Sequence, residues 1–317
     1  MKNKAIAAAL LAGLLLWAGP ATVVFGADIN SNAGTSAFSF LKINISARAV
    51  AMGGAFTGLS DDESSLYYNP AGITSLEEKR FILGYHNYFV DIQSGFAGYI
   101  QNIGANRFLG LYASYLNYGD FVQTDQFGNT TGEFSGGDFM IAGSFAFKHG
   151  YNMSFGATAK FIYEKIQDYS ATGLAVDLGG KYTADRNRWS AGAMIQNLGA
   201  QLSALGEKKD KLPLTFRGGG SYKPRGIPIT LSSDVIIPVD NDIIFAVGGE
   251  YFALKPFYVR LGWNSFGSNF RAAESDDSWA GFSVGVGFDI KRLQISYAFS
   301  PSADLGESHR ITLTGGL

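Results

Sequence analysis

Alternation of apolar and polar residues is the feature that most constrains how this chain can fold. In the stretch AGFSVGVGFDI, residues 280–290, the even-numbered positions are Ala, Phe, Val, Val, Phe and Ile, and the odd-numbered positions are Gly, Ser, Gly, Gly and Asp. A period of two predicts a β-strand with one apolar face. The opposite face is rich in Gly, Ser, Thr and isolated charges, which is unusual for a soluble sandwich and expected for the wet lumen of a barrel.

Similar stretches recur along the chain after residue 80. We count about fourteen, each close to the ten residues that a tilted membrane strand needs, and the number is even, as in bacterial single-chain barrels. The predicted strand starts are Arg80, Asp91, Arg107, Glu133, Tyr151, Thr172, Trp189, Leu212, Ile227, Ile243, Phe257, Trp279, Leu293 and Arg310. The predicted fold class is therefore all-β, a transmembrane antiparallel β-barrel of about 14 strands.

The lengths of the connections support this fold. Even-numbered connections are tight, such as NIGAN, ADRNR and KPRG, whereas the longest ones, such as YGDFVQTDQFGNTTG and SFGSNFRAAESDDS, are all odd-numbered. Outer-membrane barrels carry short turns on the periplasmic side and longer loops outside. The pattern predicts a protein of the cell outer membrane with both chain termini in the periplasm.

The N-terminus carries the pattern of an exported protein. Lys2 and Lys4 precede the apolar run AIAAALLAGLLLWAG, and small residues follow it. This predicts a signal peptide over residues 1–26, cleaved between residues 21 and 27. The remainder then divides into an N-terminal extension, residues 27–79, and the barrel, residues 80–317.

Composition excludes several other classes of protein. Charged residues make up 16% of the chain, against about 25% in ordinary soluble domains, which suits a wall that faces lipid. The net charge of -2 gives no basic field, so we expect no nucleic-acid partner. The chain has no cysteine, which excludes a disulfide scaffold and thiol chemistry.

The sequence offers no catalytic or metal-binding motif. His86, His149 and His309 lie at or near predicted strand ends without metal-ligand spacing, so we predict solvent or interface positions for them. The glycine-rich stretch lacks the Lys-Ser/Thr of a phosphate loop, and there is no Gly-x-Ser-x-Gly elbow. Acidic clusters at residues 61–63 and 274–277 lack calcium-ligand spacing and are predicted to be solvated loops. We therefore expect no enzyme, no cofactor and no metal.

Two stretches resemble a known family. SFLKINISARAVAMGGAFTGLSDDESSLYYNPAGI, residues 39–73, resembles the opening of the PorV/PorQ family, outer-membrane barrels similar to the long-chain fatty acid transporters (FadL-like), which share the Asn-Pro-Ala element. LGESHRITLTGGL, residues 305–317, resembles the last strand of that family. The resemblance implies a fourteen-stranded barrel whose N-terminal segment, within residues 27–79, folds into the lumen as a plug.

The plug interpretation identifies a set of candidate residues. Glycines would allow close backbone approach, proline would stiffen a turn, and the tyrosines would offer apolar rings with polar tips to a mixed interior. The predicted plug and gating residues are Gly53, Gly54, Tyr67, Tyr68, Asn69, Pro70, Ala71 and Gly72. An ordinary periplasmic turn at these residues is the alternative.

Strand phase predicts that some charged side chains face the lumen. They are Lys160, Asp177, Lys181, Arg217, Asp234, Glu250 and Arg260. Charges on consecutive strands have opposite signs, and hairpin register brings such residues close together. We hypothesise a roughly neutral ladder that holds the plug, with chance placement of charges in a wet lumen as the alternative.

The resemblance implies two possible functions. The first is transport of a hydrophobic small molecule across the outer membrane past the plug, with aromatic residues of the outer loops forming the patch where the ligand enters: Phe121, Phe127, Phe266 and Phe270. The alternative is a component of a type IX-like protein secretion system that binds exported proteins. Expected partners are outer-membrane lipid, the barrel assembly machinery, and either the hydrophobic molecule or an exported protein.

Overall fold

The computed structural model describes residues 30–88, 92–184, 188–270, 279–301 and 306–317. The predicted signal peptide, the acidic cluster at 274–277 and the predicted strand start at Asp91 lie outside these residues. No helix within the described ranges is long and apolar enough to cross a bilayer.

Fourteen antiparallel strands close into one barrel within the described residues. They are β1 (Arg80–Asn87), β2 (Gln93–Gly104), β3 (Arg107–Thr124), β4 (Thr130–His149), β5 (Met153–Ile166), β6 (Tyr169–Ala184), β7 (Trp189–Ser203), β8 (Thr215–Tyr222), β9 (Ile229–Pro238), β10 (Ile244–Tyr251), β11 (Phe257–Asn264), β12 (Phe282–Ile290), β13 (Leu293–Pro301) and β14 (Glu307–Gly316). Each strand pairs with its neighbours in the sequence, and β1 pairs with β14 to close the barrel. The predicted fold class and strand count are confirmed, and each strand starts within 3 residues of its predicted position.

Side chains alternate between the two faces of the wall. In β4, Phe139 and Ile141 are 43% and 51% exposed, whereas the intervening Met140 is 2% exposed. The exposed positions point away from the lumen because successive side chains of a strand point to opposite faces. The outer surface is therefore apolar, and the residues described below line the interior.

The longest strands, β3 and β4, extend beyond their neighbours as a hairpin. Residues 118–132, predicted to be a loop, lie largely in strand, and the turn is confined to residues 125–129. Asp125 closes it by accepting hydrogen bonds from the backbone N–H of Phe127 at 2.8 Å and of Asn129 at 2.9 Å. The loop prediction was wrong because cross-strand pairs such as Phe121 and Phe134, whose ring centroids lie 5.3 Å apart, extend the ladder.

The two ends of the barrel differ in their connections. We call the end that carries the tight turns, such as β2–β3 and β8–β9, the short-turn end, and the opposite end the long-loop end. Arg80 and Gly316 pair at the short-turn end. Asn30, however, donates a hydrogen bond to Asp242 in the β9–β10 connection, at the long-loop end. The prediction that both termini share one end was wrong for the described N-terminal residues, because strand parity does not constrain the chain before β1.

Candidate functional site inside the barrel

The barrel encloses residues 36–76, which we call the luminal segment. It contains 3-10 turns at Ser39–Lys42 and Pro70–Ser75 and short helices at Ala47–Ala51 and Ser65–Tyr68. It begins at the long-loop end, where Ala37 N–H donates to Lys211 O at 3.0 Å, and it leads into β1 at the short-turn end. Residues 49–60 and 63–74 are all buried.

One side of the luminal segment contacts an apolar part of the barrel wall formed by β1 to β6. Leu66 and Ile73 belong to a single buried cluster with inward side chains of these strands, among them Ile82, Tyr112 and Ile162. Nearer the long-loop end, Phe38, Phe40 and Leu41 extend the same cluster. The apolar contact therefore runs along much of the lumen.

The Asn-Pro element forms a bend, residues 69–70, that lies directly against β5 and β6. The helix Ser65–Tyr68 ends at Asn69, whose side-chain oxygen accepts from the N–H of Ala71 at 3.2 Å, and Pro70 starts the next turn. The side-chain amide of Asn69 donates to Thr57 O at 3.0 Å and to Gly180 O at 3.1 Å. The wall accommodates this bend because Gly156 has no side chain. A Cβ added there would lie only 2.5 Å from the carbonyl carbon of Pro70. Ala71 and Gly72 follow the bend and are buried too.

Glycine is required at positions 53 and 54 for different structural reasons. A Cβ at Gly53 would lie 2.5 Å from Trp263 O and 2.8 Å from Val247 O, so only glycine lets the luminal segment approach β10 and β11 this closely. Gly54 has more room but a φ of 81°, in the left-handed region that side chains disfavour. The turn after helix Ala47–Ala51 depends on both.

Tyr67 and Tyr68 are buried between the luminal segment and the wall. The Tyr67 hydroxyl donates to Leu41 O at 2.9 Å, and the guanidinium of Arg217 lies 5.3 Å from the centroid of the Tyr68 ring. Burial raises the pKa of both phenols well above the usual value. Both tyrosines are therefore neutral and act as packing groups with polar tips.

The seven charged residues predicted to face the lumen are all at most 7% exposed. Six of them form ion pairs between neighbouring strands. The pairs are Lys160–Asp177 at 2.6 Å, Arg217–Asp234 at 3.5 Å and Arg260–Glu250 at 2.7 Å. The charges of the lumen are therefore largely compensated locally.

Three of these side chains hold the backbone of the luminal segment. Asp234 accepts from the N–H groups of Phe56 at 3.1 Å and Thr57 at 2.9 Å, and Arg217 donates to Gly54 O at 2.9 Å. The seventh charged residue, Lys181, donates to the carbonyl oxygens of residues 59 and 60 at 2.7 and 2.6 Å. Backbone groups that have no secondary-structure partner are thus satisfied by the wall.

The Lys160–Asp177 pair has another role. Lys160 donates to the side-chain oxygen of Asn197 at 2.8 Å, and Asp177 accepts from Asn197 N–H at 2.8 Å. Asn197 has a φ of 61°, and the β6–β7 register shifts beside it. This pair therefore supports a bulge in the wall, a feature that strand alternation alone did not predict.

An arginine that the sequence did not single out organises the largest charge cluster. Arg48, in the helix Ala47–Ala51, lies 2.7 Å from Asp61, 2.9 Å from Asp62 and 2.8 Å from Glu250. Burial alone would raise the pKa of Asp61, but attraction to Arg48 and Lys223 outweighs it and lowers the pKa well below the usual value. The prediction of a solvated loop at residues 61–63 was wrong, because the cationic partners are distant in sequence.

Glu63 completes this cluster at the short-turn end. It is 1% exposed and lies 2.5 Å from Arg80, the first residue of β1. Burial, followed by repulsion from Asp62, raises the pKa of Glu63 to about 7, although Arg80 opposes the shift. The carboxyl therefore titrates near neutral pH while the luminal segment is docked.

We expect docking of the luminal segment to weaken as pH rises through 7. The docked Glu63 has a raised pKa, so protonation of this carboxyl favours docking. Its contribution to the stability of the docked state is complete below the ordinary pKa of about 4.3 and is lost above about 7. Ion leak through the barrel in lipid vesicles should be greater at alkaline than at acidic pH. Glu63→Gln should abolish this dependence, and the exposed Glu77→Gln should retain it. An equal pH dependence in Glu63→Gln would contradict the assignment.

The histidines occupy different environments. His86 is 2% exposed and faces the lumen beside Ser94, so the prediction of a solvent or interface position was wrong for it. The alternation of β1 places the side chain of His86 on the inner face of the barrel. The prediction considered only that the residue is near a strand end. His149 is exposed and His309 is partly exposed. Across the described residues no cluster of His, Asp or Glu could hold a metal ion.

The phenylalanines predicted to form the ligand-entry patch lie apart from one another in the structure. Phe121 lies in β3 and Phe127 at the tip of the β3–β4 hairpin, where it is 79% exposed. Phe266 is half-buried in the 3-10 turn Ser265–Phe270 after β11, on a distant part of the barrel. The side chain of Phe270 lies outside the described residues. The role of these residues in ligand binding stays a prediction.

Comparisons with known proteins establish the fold. No family model and no curated protein matches the chain. Among solved structures, it is similar to the Pseudomonas putida toluene transporter TodX, with a TM-score of 0.60, 12% identity, and 84% of this chain and 95% of that chain covered. It is also similar to the CymD monoaromatic hydrocarbon channel, with a TM-score of 0.59, 12% identity, and 89% of this chain and 99% of that chain covered. A Pseudomonas aeruginosa FadL homologue matches with a TM-score of 0.55, 13% identity, and 86% of this chain and 98% of that chain covered. The chain thus has the barrel fold of FadL-type channels.

Proposed function

We propose that this protein moves a hydrophobic small molecule across the outer membrane and that the luminal segment is its plug. The observation that carries the proposal is the way this segment is held. All fourteen strand pairings close the barrel by themselves, and apart from one bridge between Ser36 and Lys211 the segment contributes no strand pairing. It can therefore leave its position without breaking the sheet, which a plug must do.

The chemistry of the lumen and the fold both support an apolar cargo. The luminal segment meets β1 to β3 mainly through apolar side chains, so a cargo that passes along this side meets fewer charged groups than beside β4 to β6, where Asp138, Lys160 and Asp177 face the lumen. The similar structures include a toluene transporter and a monoaromatic hydrocarbon channel. The narrower PorV/PorQ assignment, and the alternative of a type IX-like secretion component, rest only on the resemblance of residues 39–73 and 305–317.

Uptake by lipid vesicles tests the proposed function. Vesicles containing the purified protein should take up a fluorescent apolar ligand in a saturable way and exclude a hydrophilic sugar. Protein-free vesicles and vesicles with heat-denatured protein correct for passive partition. Uptake no faster than in these controls would contradict transport and favour a role in binding exported proteins.

The proposed membrane orientation makes a labelling prediction. With the long-loop end outside, the exposed Asn32 lies at the outer surface and the exposed Arg225, in the β8–β9 turn, in the periplasm. Because the chain has no cysteine, Asn32→Cys and Arg225→Cys each introduce a single thiol. A membrane-impermeant maleimide should label Asn32→Cys in intact cells and should label Arg225→Cys only after the outer membrane is permeabilised. The opposite pattern would reverse the orientation.

A further inference from the structure

The lipid-facing wall contains a recess that the proposed transport path does not use. It is an open depression of about 780 Å³ across β4 to β9. Bulky outward side chains border it: Phe145, Phe147, Phe155, Phe216, Val235 and Ile237. These residues are about two-fifths exposed, in the outward phase of their strands.

The recess exists because three small residues are aligned across neighbouring strands. Gly180 in β6 pairs with Ala193 in β7, which pairs with Gly218 in β8. The same cross-strand row ends at Phe155 on one side and Val235 on the other. A Cβ added to Gly218 would meet no atom within 4 Å. The floor is thus about three strands wide, or roughly 14 Å at a strand spacing of about 4.8 Å.

The chemistry of the recess fits hydrocarbon. Its outward side chains are aromatic, aliphatic or absent, and Arg217, which also borders it, has its side chain buried in the lumen. No outward polar side chain among the lining residues could serve a headgroup or a hydrogen-bonding protein partner. The volume lies within the range of about 300–1,000 Å³ that is typical of small-molecule sites.

Groups suited to a lipid headgroup lie next to the recess, toward the short-turn end. Tyr182 and Trp189 have ring centroids 5.5 Å apart, and Trp189 pairs with Tyr222. Aromatic side chains of this kind are typical of the membrane–water interface. Gly218 precedes Tyr222 by 4 residues, which is about 13 Å along a strand, so the recess lies at acyl-chain depth. The exposed Arg225 follows in the β8–β9 turn.

We propose that the recess binds one acyl chain of a phospholipid from the inner leaflet of the outer membrane, with its headgroup beside Trp189, Tyr222 and Arg225. The inference rests on the proposed membrane position and orientation. The continuity of an apolar recess, an aromatic pair and a cation in one direction along the same strands favours a phospholipid over an apolar molecule without a headgroup. The bound lipid is a structural ligand of the wall.

Filling the recess tests this proposal. Gly218→Phe places a ring in the open space, and Gly249→Phe, at an outward glycine of β10 whose added Cβ would make only ordinary contacts, is the matched control. Phospholipid bound per barrel is measured by mass spectrometry of intact complexes during detergent exchange, with phosphatidylglycerol as the probe. Wild type and Gly249→Phe should retain one lipid per barrel. The amount of lipid bound to Gly218→Phe should be lower by at least about tenfold, as expected when two or so methylene groups of the acyl chain can no longer be buried.

Three results would overturn the proposal. Gly218→Phe could retain the lipid as well as wild type does, or wild type itself could retain no phospholipid. A lipid-free wild-type dimer that Gly218→Phe makes monomeric would assign the recess to a second copy of the chain. Vesicle uptake by the same proteins distinguishes failure of this proposal from failure of the proposed function. If wild type does not transport the apolar ligand, the proposed function is contradicted, whether or not the protein retains the lipid.

Discussion

Replacing Arg48 with methionine should open an ion path through the barrel. Arg48 is the cation that Asp61, Asp62 and Glu250 share. Without it Asp61 keeps Lys223 and Glu250 keeps Arg260, but the partly buried Asp62 loses the cation with which it pairs and the cluster gains net negative charge. Removing one partner of a buried ion pair costs about 3–5 kcal/mol. The undocked state of the luminal segment should therefore become more populated by a factor of about 10² or more. Single-channel recording in planar bilayers measures this as frequent openings that wild type lacks.

Matched variants separate this effect from a general loss of charge. Arg107→Met removes an exposed arginine, the first residue of β3, and should leave the barrel closed. Neutralising the partners with Asp61→Asn and Asp62→Asn in the Arg48→Met background should restore part of the closed population. Openings that are as frequent in Arg107→Met as in Arg48→Met would contradict the role of the Arg48 cluster.

Replacing both Asn69 and Pro70 with alanine should have the second large effect. The Asn69 side chain makes three hydrogen bonds at once, to Thr57 O, Gly180 O and Ala71 N–H. Each buried group left without a partner costs about 1–3 kcal/mol. Loss of the proline adds about 0.4–1 kcal/mol by making the undocked chain more flexible. We expect higher ion conductance in planar bilayers and faster vesicle leak than in wild type.

The single variants and a control define which contact matters. Asn69→Ala should account for most of the change, and Pro70→Ala for a small part of it. Asn129→Ala, in the exposed turn of the β3–β4 hairpin, removes an asparagine that does not contact the luminal segment and should have no effect on conductance. A double variant as tight as wild type would show that the bend at residues 69–70 does not hold the segment.

The barrel could be predicted from the sequence because its main signal is local. Alternation at residues 280–290 reports which face of one strand is apolar, and hairpin register brings Glu250 and Arg260 together without further information. The same local signal misplaced residues 118–132, since a polar stretch with Gly and Asn is typical of a loop even where cross-strand aromatic pairs extend the ladder.

The contacts of the luminal segment could not be predicted in this way. Arg48 and Glu250 are 202 positions apart, and no periodicity connects a short helix to an inward position of β10. Asp61 and Asp62 have the sequence pattern of a solvated loop, but the fold places Arg48 and Lys223 beside them. The bulge at Asn197 was likewise missed, because strand alternation predicts the phase of a side chain and not a local shift in register.

The central claim is that the luminal segment must move for the cargo to pass, and a reversible cross-link tests it most directly. The hydroxyls of Thr74 and Ser154 lie 2.8 Å apart, so Thr74→Cys with Ser154→Cys should form a disulfide that fixes the segment to β5 beside residues 69–70. Thr172→Cys with Ser203→Cys, at two hydroxyls 2.9 Å apart on neighbouring strands, gives a disulfide within the wall as the control.

The measurement is uptake of the fluorescent apolar ligand by vesicles that contain each oxidised protein. Our account predicts that uptake stops in the Thr74–Ser154 variant, returns when the disulfide is reduced, and continues in the control pair under both conditions. Uptake that continues at the wild-type rate through the oxidised Thr74–Ser154 barrel would contradict the claim.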